Sequence, residues 1–191
     1  RIYEPAFYVN YLASQVDFSF LNASYQPFTG GSVYYNPGFN MLFKIGTQDL
    51  FEDYKIMGGV RFGGDFNSNE YLFSVQNLKH RWDHEVIFHR QGYTQATTDL
   101  YSLVKTSSQT LYYVGKYPFS QVASIRGTAS FRSDNNIFLA TDQYNLNQKN
   151  IHKFWVGTKL EYVYDNTFQN GLNLYDGIRS KVFAEYFKQM N

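Results

Sequence analysis

Between residues 121 and 132 the chain changes polarity at every step. Ala123, Ile125, Gly127, Ala129 and Phe131 alternate with Ser124, Arg126, Thr128, Ser130 and Arg132. A helix cannot sort residues with a period of two, whereas a strand sends successive side chains to opposite faces. Four further segments repeat the pattern. In 54–66, Ile56, Gly58, Val60, Phe62 and Phe66 oppose Lys55, Gly59, Arg61 and Asp65. In 152–165, Phe154, Val156, Thr158, Leu160, Tyr162 and Tyr164 oppose Lys159, Glu161 and Asp165. In 38–48, Phe39, Met41, Phe43 and Ile45 oppose Asn40 and Lys44. In 177–190, Ile178, Val182, Ala184 and Tyr186 oppose Arg179, Lys181 and Glu185, a stretch that also fits an amphipathic helix.

Other segments alternate less cleanly. Residues 71–79 begin with Tyr71, Phe73 and Val75 on one face and change phase at Asn77, which predicts a bulge there. Segments 85–93 and 100–116 are rich in Thr, Ser, Tyr and Val. In 11–20, Val16, Phe18 and Phe20 oppose Gln15, Asp17 and Ser19. Turn chemistry separates the runs at 49–53, 67–70, 81–84, 95–99, 117–120 around Pro118, and 166–176. Longer polar connections fall at 22–37 and 133–150, and no capped helix-length segment is present. The expectation is about nine strands in an antiparallel meander, forming one domain over residues 1–191. Counted along the chain, both long connections fall on one side of the sheet and most short turns on the other.

The polar faces decide between water and lipid. They carry Lys44, Arg61, Arg126, Arg132, Lys159, Glu161, Arg179, Lys181 and Glu185 at mid-strand, where a small soluble barrel would place apolar filling. The dry faces have aromatics near strand ends, at Phe39, Phe66, Phe131, Tyr162 and Tyr164, with Gly58, Gly64, Gly127 and Ala129 between them. Aromatic residues make up 20% of the chain and charged residues only 17%, which is low for a surface facing water on all sides. Apolar-out, polar-in strands with aromatic girdles predict an all-β, antiparallel transmembrane β-barrel in the outer membrane of a Gram-negative bacterium. Its partners are then the lipid bilayer and lipopolysaccharide, with other envelope proteins in an assembly, and its nine charged residues face a lumen. A count of nine is odd, and the last alternating run reaches Met190 without a following turn. The expectation is that more strands follow and that these residues alone do not close. No apolar run is long enough for a transmembrane helix. A net charge of +1 offers nothing to nucleic acid.

Several stretches carry a family resemblance: Asp49-Leu-Phe-Glu-Asp-Tyr-Lys-Ile-Met-Gly-Gly-Val-Arg61, Asn69-Glu-Tyr-Leu-Phe-Ser-Val-Gln-Asn-Leu-Lys79, His89-Arg90, Tyr117-Pro-Phe119 and Glu161-Tyr-Val-Tyr-Asp-Asn-Thr167. From about Tyr8 onward the chain resembles the C-terminal region of large Bacteroidetes outer-membrane proteins, in which a WD40-like (TolB-type) propeller precedes a barrel. That barrel is distantly similar to the surface-antigen superfamily of outer-membrane assembly factors. The resemblance implies a location and an architecture more than a mechanism. The superfamily also has a motif in a loop folded into the lumen; Ile125-Arg126-Gly127 sits within a strand and is not that motif.

Candidate chemistry is sparse. There is no cysteine, which excludes thiolate sites and disulfides. His80, His84 and His89 are spaced by four and five, whereas two ligands on one strand face need a spacing of two. Asp49, Glu52 and Asp53 could gather calcium but lack a spaced ligand set, so a charged turn is the plainer reading. Gly58-Gly59 and Gly63-Gly64 lie in a strand without the Lys-Ser/Thr of a phosphate loop. No G-x-S-x-G elbow occurs. The expectation is therefore an anchoring, transport or biogenesis barrel with no catalytic residues, no cofactor and no metal. Two alternatives stand beside it: a barrel enzyme of lipase or protease type, and a soluble β-barrel that binds a small ligand.

Overall fold

The computed structural model describes residues 5–17, 40–63, 69–96, 103–139, 149–172 and 174–190. They contain no helix. The strands are β1 (Phe7–Asp17), β2 (Asn40–Asp49), β3 (Tyr54–Gly63), β4 (Glu70–Asn77), β5 (Asp83–Ala96), β6 (Leu103–Pro118), β7 (Ala123–Leu139), β8 (Ile151–Asp165), β9 (Phe168–Gly171), β10 (Leu174–Asp176) and β11 (Arg179–Gln189). Nine of them form one antiparallel sheet in the order β1-β2-β3-β4-β5-β6-β7-β8-β11, and β9 and β10 form a separate hairpin. The expected nine-strand meander is present, and the segment from 177 is strand rather than helix. Each strand touches only its sheet neighbours, so the described sheet is one layer thick. β1 and β11 are its edges, and no pairing joins them among the described residues.

Differences from the expected strands have local causes. No bulge occurs at Asn77; both ladders run unbroken to it, opposite Tyr54 and His84, and the strand ends there. The change of phase marks the exit into a turn. The register shift lies in β1, between Val9 and Tyr11, and it places the Tyr11 ring over Gly46. A Cβ at Gly46 would overlap that ring, so the close approach requires glycine. β7 continues through Ser133, Asp134, Asn135 and Asn136 to Leu139, where loop-like composition pointed to a connection. Pairing with β6, which extends as far as Leu103 opposite Leu139, supplies hydrogen-bond partners that override the weak strand preference of Asn and Asp. The 166–176 connection contains the β9–β10 hairpin, whose register shifts between Leu174 and Tyr175, and Gly177 follows it with a φ of 113° that favours glycine. Phe18, Phe20, Phe39, Gly64, Asp65, Phe66 and the 22–37 connection lie outside the described residues.

The turn at 49–53 is held by its own side chains. Asp49 Oδ1 accepts the Tyr54 N–H at 2.9 Å, the Glu52 N–H bonds the Asp49 carbonyl at 3.0 Å, and Glu52 has a φ of 59°. Lys55 pairs with Glu52 at 3.1 Å. Two of the carboxylates considered for calcium, Asp49 and Glu52, thus fasten a hairpin, and Asp53 takes part through its backbone carbonyl, which accepts the Leu78 N–H at 2.7 Å.

Register can be tested directly because the chain has no native thiol. Val114 lies opposite Thr128. Side chains so placed have Cβ atoms about 4.5–5.5 Å apart, within reach of a disulfide after small adjustment. Val114→Cys with Thr128→Cys should cross-link on mild oxidation. Val114→Cys with Ala129→Cys, on opposite faces, should not. Cross-linking of the second pair alone would mean a one-residue slip.

Candidate functional site

The ladder assigns every strand residue to one of two faces. From Leu42 opposite Arg61 and Arg61 opposite Glu70, the pairing carries one face across β5 and β6 to Lys116 opposite Arg126, Arg126 opposite Glu161 and Thr128 opposite Lys159. It ends on β11, where Glu185 faces Lys159, Lys181 faces Val163 and Arg179 faces Asp165. Lys44, Arg61, Arg126, Arg132, Lys159, Glu161, Arg179, Lys181 and Glu185 therefore share one face. Arg61 and Glu161 are buried; Lys44, Arg132 and Lys159 are half-buried; Arg126, Arg179, Lys181 and Glu185 are exposed.

Burial on this face is polar. Gln48, Arg61, Glu70, Ser74, Thr106, Ser108, Thr110, Ser130, Asp134 and Glu161 are all buried, and the buried hydrophobic residues among those described are only Leu72 and Tyr112. Arg61 is 1% exposed and Glu70 0%. Such charges must be paired. Arg61 Nε donates to Glu70 Oε2 at 2.8 Å, and His89 Nε2 meets Glu70 Oε1. Beside them, Glu85 Oε1 accepts from Ser74 Oγ and Gln76 Nε2, both at 2.9 Å. Asn10 Nδ2 donates to Gln48 Oε1 at 2.8 Å, and Gln48 Nε2 donates to Tyr8 Oη at 2.7 Å. Arg132 Nε donates to Asp134 at 2.7 Å. Around Glu161 gather Lys181, Lys159 at 3.1 Å and Arg126 at 3.9 Å. The Phe183 ring lies under both ammonium groups, at 5.0 Å and 5.8 Å. Glu70, Glu85 and Gln48 escaped the sequence reading. Starting β4 at Glu70, two residues before Leu72 on the same face, would have revealed the partner of Arg61.

The opposite face is apolar and bare. Leu12 is 72% exposed, Leu160 55% and Phe73 50%; Met41, Phe43, Ile45, Phe62, Val86, Phe88, Leu111, Tyr113, Phe131, Phe154, Tyr162 and Val182 are exposed beside them. This apolar band runs obliquely across the ladder. On β5, β6 and β7 it stops at Arg90, Gln109 and Ser133, which lie opposite one another. On β2 and β3 it reaches one pair further, to Met41 and Phe62, and on β11 it stops one pair sooner, at Lys188. At the other end it stops at Thr47 on β2 but continues to Tyr162 and Tyr164 on β8. A slab of constant thickness crossed by tilted strands produces such a slant.

The histidines do not converge. His84 is on the apolar face with Nδ1 2.7 Å from the Tyr113 hydroxyl, His89 is on the polar face at Glu70, and His80 is exposed in a turn. No group of metal-ligating side chains occurs among the described residues.

Breaking a buried ion pair is costly because the remaining charge loses its counter-charge in a shielded site. Glu70→Ala should cost about 3–5 kcal/mol by removing the buried carboxylate that pairs with Arg61. Arg126→Ala should cost less than about 1 kcal/mol, because its pair is long and half-exposed. Urea unfolding of the two variants in detergent would show the difference, and equal losses would contradict the burial assigned to Arg61 and Glu70. No family model, curated protein or solved structure matches this chain.

Proposed function

We propose that this sheet is part of the wall of a transmembrane β-barrel in the outer membrane of a Gram-negative bacterium, where it serves as an anchor or as a transport or biogenesis component of the envelope. One observation carries the reading: polarity is inverted, with Arg61 and Glu70 sealed inside while a continuous field of Leu, Ile, Phe and Val stands bare. In water that field would be a severe aggregation hazard. In hydrocarbon it is a match, and the charged face then lines an aqueous interior. The slant of the apolar band and the aromatics at its ends support the same orientation. Partners under this reading are the bilayer, lipopolysaccharide and neighbouring envelope proteins. The family is the Bacteroidetes propeller-and-barrel group whose motifs the sequence resembles. No catalytic step is assigned.

An open edge cannot persist in lipid, where each unsatisfied N–H or C=O costs several kcal/mol. The reading therefore requires a partner strand for each of β1 and β11. A soluble ligand-binding barrel has less support, since its interior would be apolar.

Adjacent residues on opposite faces test the proposal. Ala129→Arg should cost roughly 2–4 kcal/mol if that side chain meets the bilayer interior. Thr128→Arg should be mild. The intact protein should fractionate with outer membranes and require detergent, and yields of heat-modifiable folded protein would report the two variants. Equal tolerance, or recovery as a monodisperse species without detergent, would overturn the assignment.

A further inference from the structure

The apolar face carries a shallow, open groove of about 660 Å³ over β6, β7, β8 and β11. Gly127 forms its floor, directly opposite Gly115. Trp82 and Tyr113 line one side, Leu160 and Tyr186 the other, with Ile125 at the turn end, and Lys159 and Glu185, whose strands pass through the groove, also border it. A Cβ built on Gly127 meets nothing within 4 Å. Gly127 is not among the glycines with positive φ. Neither backbone geometry nor internal packing therefore asks for glycine, which in a strand interior is destabilising relative to alanine. Such a glycine marks close approach by something outside the strand.

Just beyond the turn end of the groove, past Trp82, lie a cation and a further aromatic ring. The Arg81 guanidinium lies 4.8 Å over the Tyr117 ring, which is 5.1 Å from the Trp82 ring. Arg81 is exposed, donates to the carbonyls of Pro118 and Phe119, and makes no ion pair among the described residues. An apolar trough ending in aromatics and a cation complements a molecule with a long apolar chain and an anionic head. We propose that the groove binds a glycerophospholipid, with an acyl chain over Gly127 and the phosphate against Arg81. This rests on the membrane reading above.

The test uses the intact protein, extracted in mild detergent and examined by native mass spectrometry with added phosphatidylglycerol. The wild-type protein should hold the lipid. Gly127→Leu fills the floor with a side chain suited to an apolar surface, and should lower occupancy about tenfold, a loss of ~1.4 kcal/mol. Arg81→Gln, at an exposed turn, should weaken phosphatidylglycerol yet leave diacylglycerol, which lacks the phosphate, unaffected. Heat-modifiability would confirm that both variants fold. Equal occupancy in folded, detergent-requiring variants would overturn the groove assignment and leave the membrane reading standing. A photo-crosslinker at Ile125 that captures a polypeptide instead of lipid would also overturn it. Failure of the membrane reading shows separately, as protein that needs no detergent.

Discussion

A β-sheet one layer thick has no second layer against which to hide an apolar face, so the media on its two sides decide whether it persists. The described sheet meets this constraint in an unusual sense. Its apolar side chains stand exposed on one face, and the side chains it shields on the other are mostly arginine, glutamate, serine and threonine. Backbone ladders satisfy the main chain from β1 to β11, and the side chains then divide by face with little crossing. The ordinary route to stability, an apolar core, is represented among the described residues by Leu72 and Tyr112. The compensating apolar contact must come from outside the sheet. Slant, aromatic rim and groove are all features of the face that would receive it.

The polar face solves a different problem. Taking Arg61 and Glu70 out of water is costly, and their direct cross-strand pairing, with His89 on the second carboxylate oxygen, answers that cost locally. Charge becomes more exposed toward β11, where Arg179, Lys181 and Glu185 are open and three cations share Glu161. This gradient follows the geometry of a sheet edge, since β8 has a neighbour on both sides and β11 on one. The interior of the sheet is tightly networked and the edge is loosely so.

Much of this was legible in the sequence because a period of two survives wherever one face is dry. β2, β3, β7 and β8 could be placed from Phe43, Val60, Phe131 and Leu160 and their polar neighbours, and the ladder puts the nine charged residues on one face. Legibility failed where both faces turn polar. Beyond Arg90, Gln109 and Ser133 no alternation remains, so the upper half of β7 read as a loop and β5 and β6 had no assigned phase. It failed at the irregularity in β1, because one inserted residue reverses the pattern without leaving a compositional mark. It failed for the Arg61–Glu70 pair, since cross-strand partnership depends on register, and register depends on turns whose lengths a single sequence only suggests. The small hairpin β9–β10 was hidden in a segment whose Asn and Gly content suits any turn.

The central claim is that the face bearing Leu111 and Ala129 meets lipid and the face bearing Thr110 and Thr128 meets water. Single cysteines at these four positions, in a chain with no thiol of its own, can carry nitroxide labels in the membrane-embedded protein. Relaxation by oxygen, which concentrates in hydrocarbon, and by a water-soluble nickel complex then reports each medium. The account predicts oxygen-dominated relaxation at 111 and 129 and nickel-dominated relaxation at 110 and 128. Strong nickel access at all four positions would contradict it.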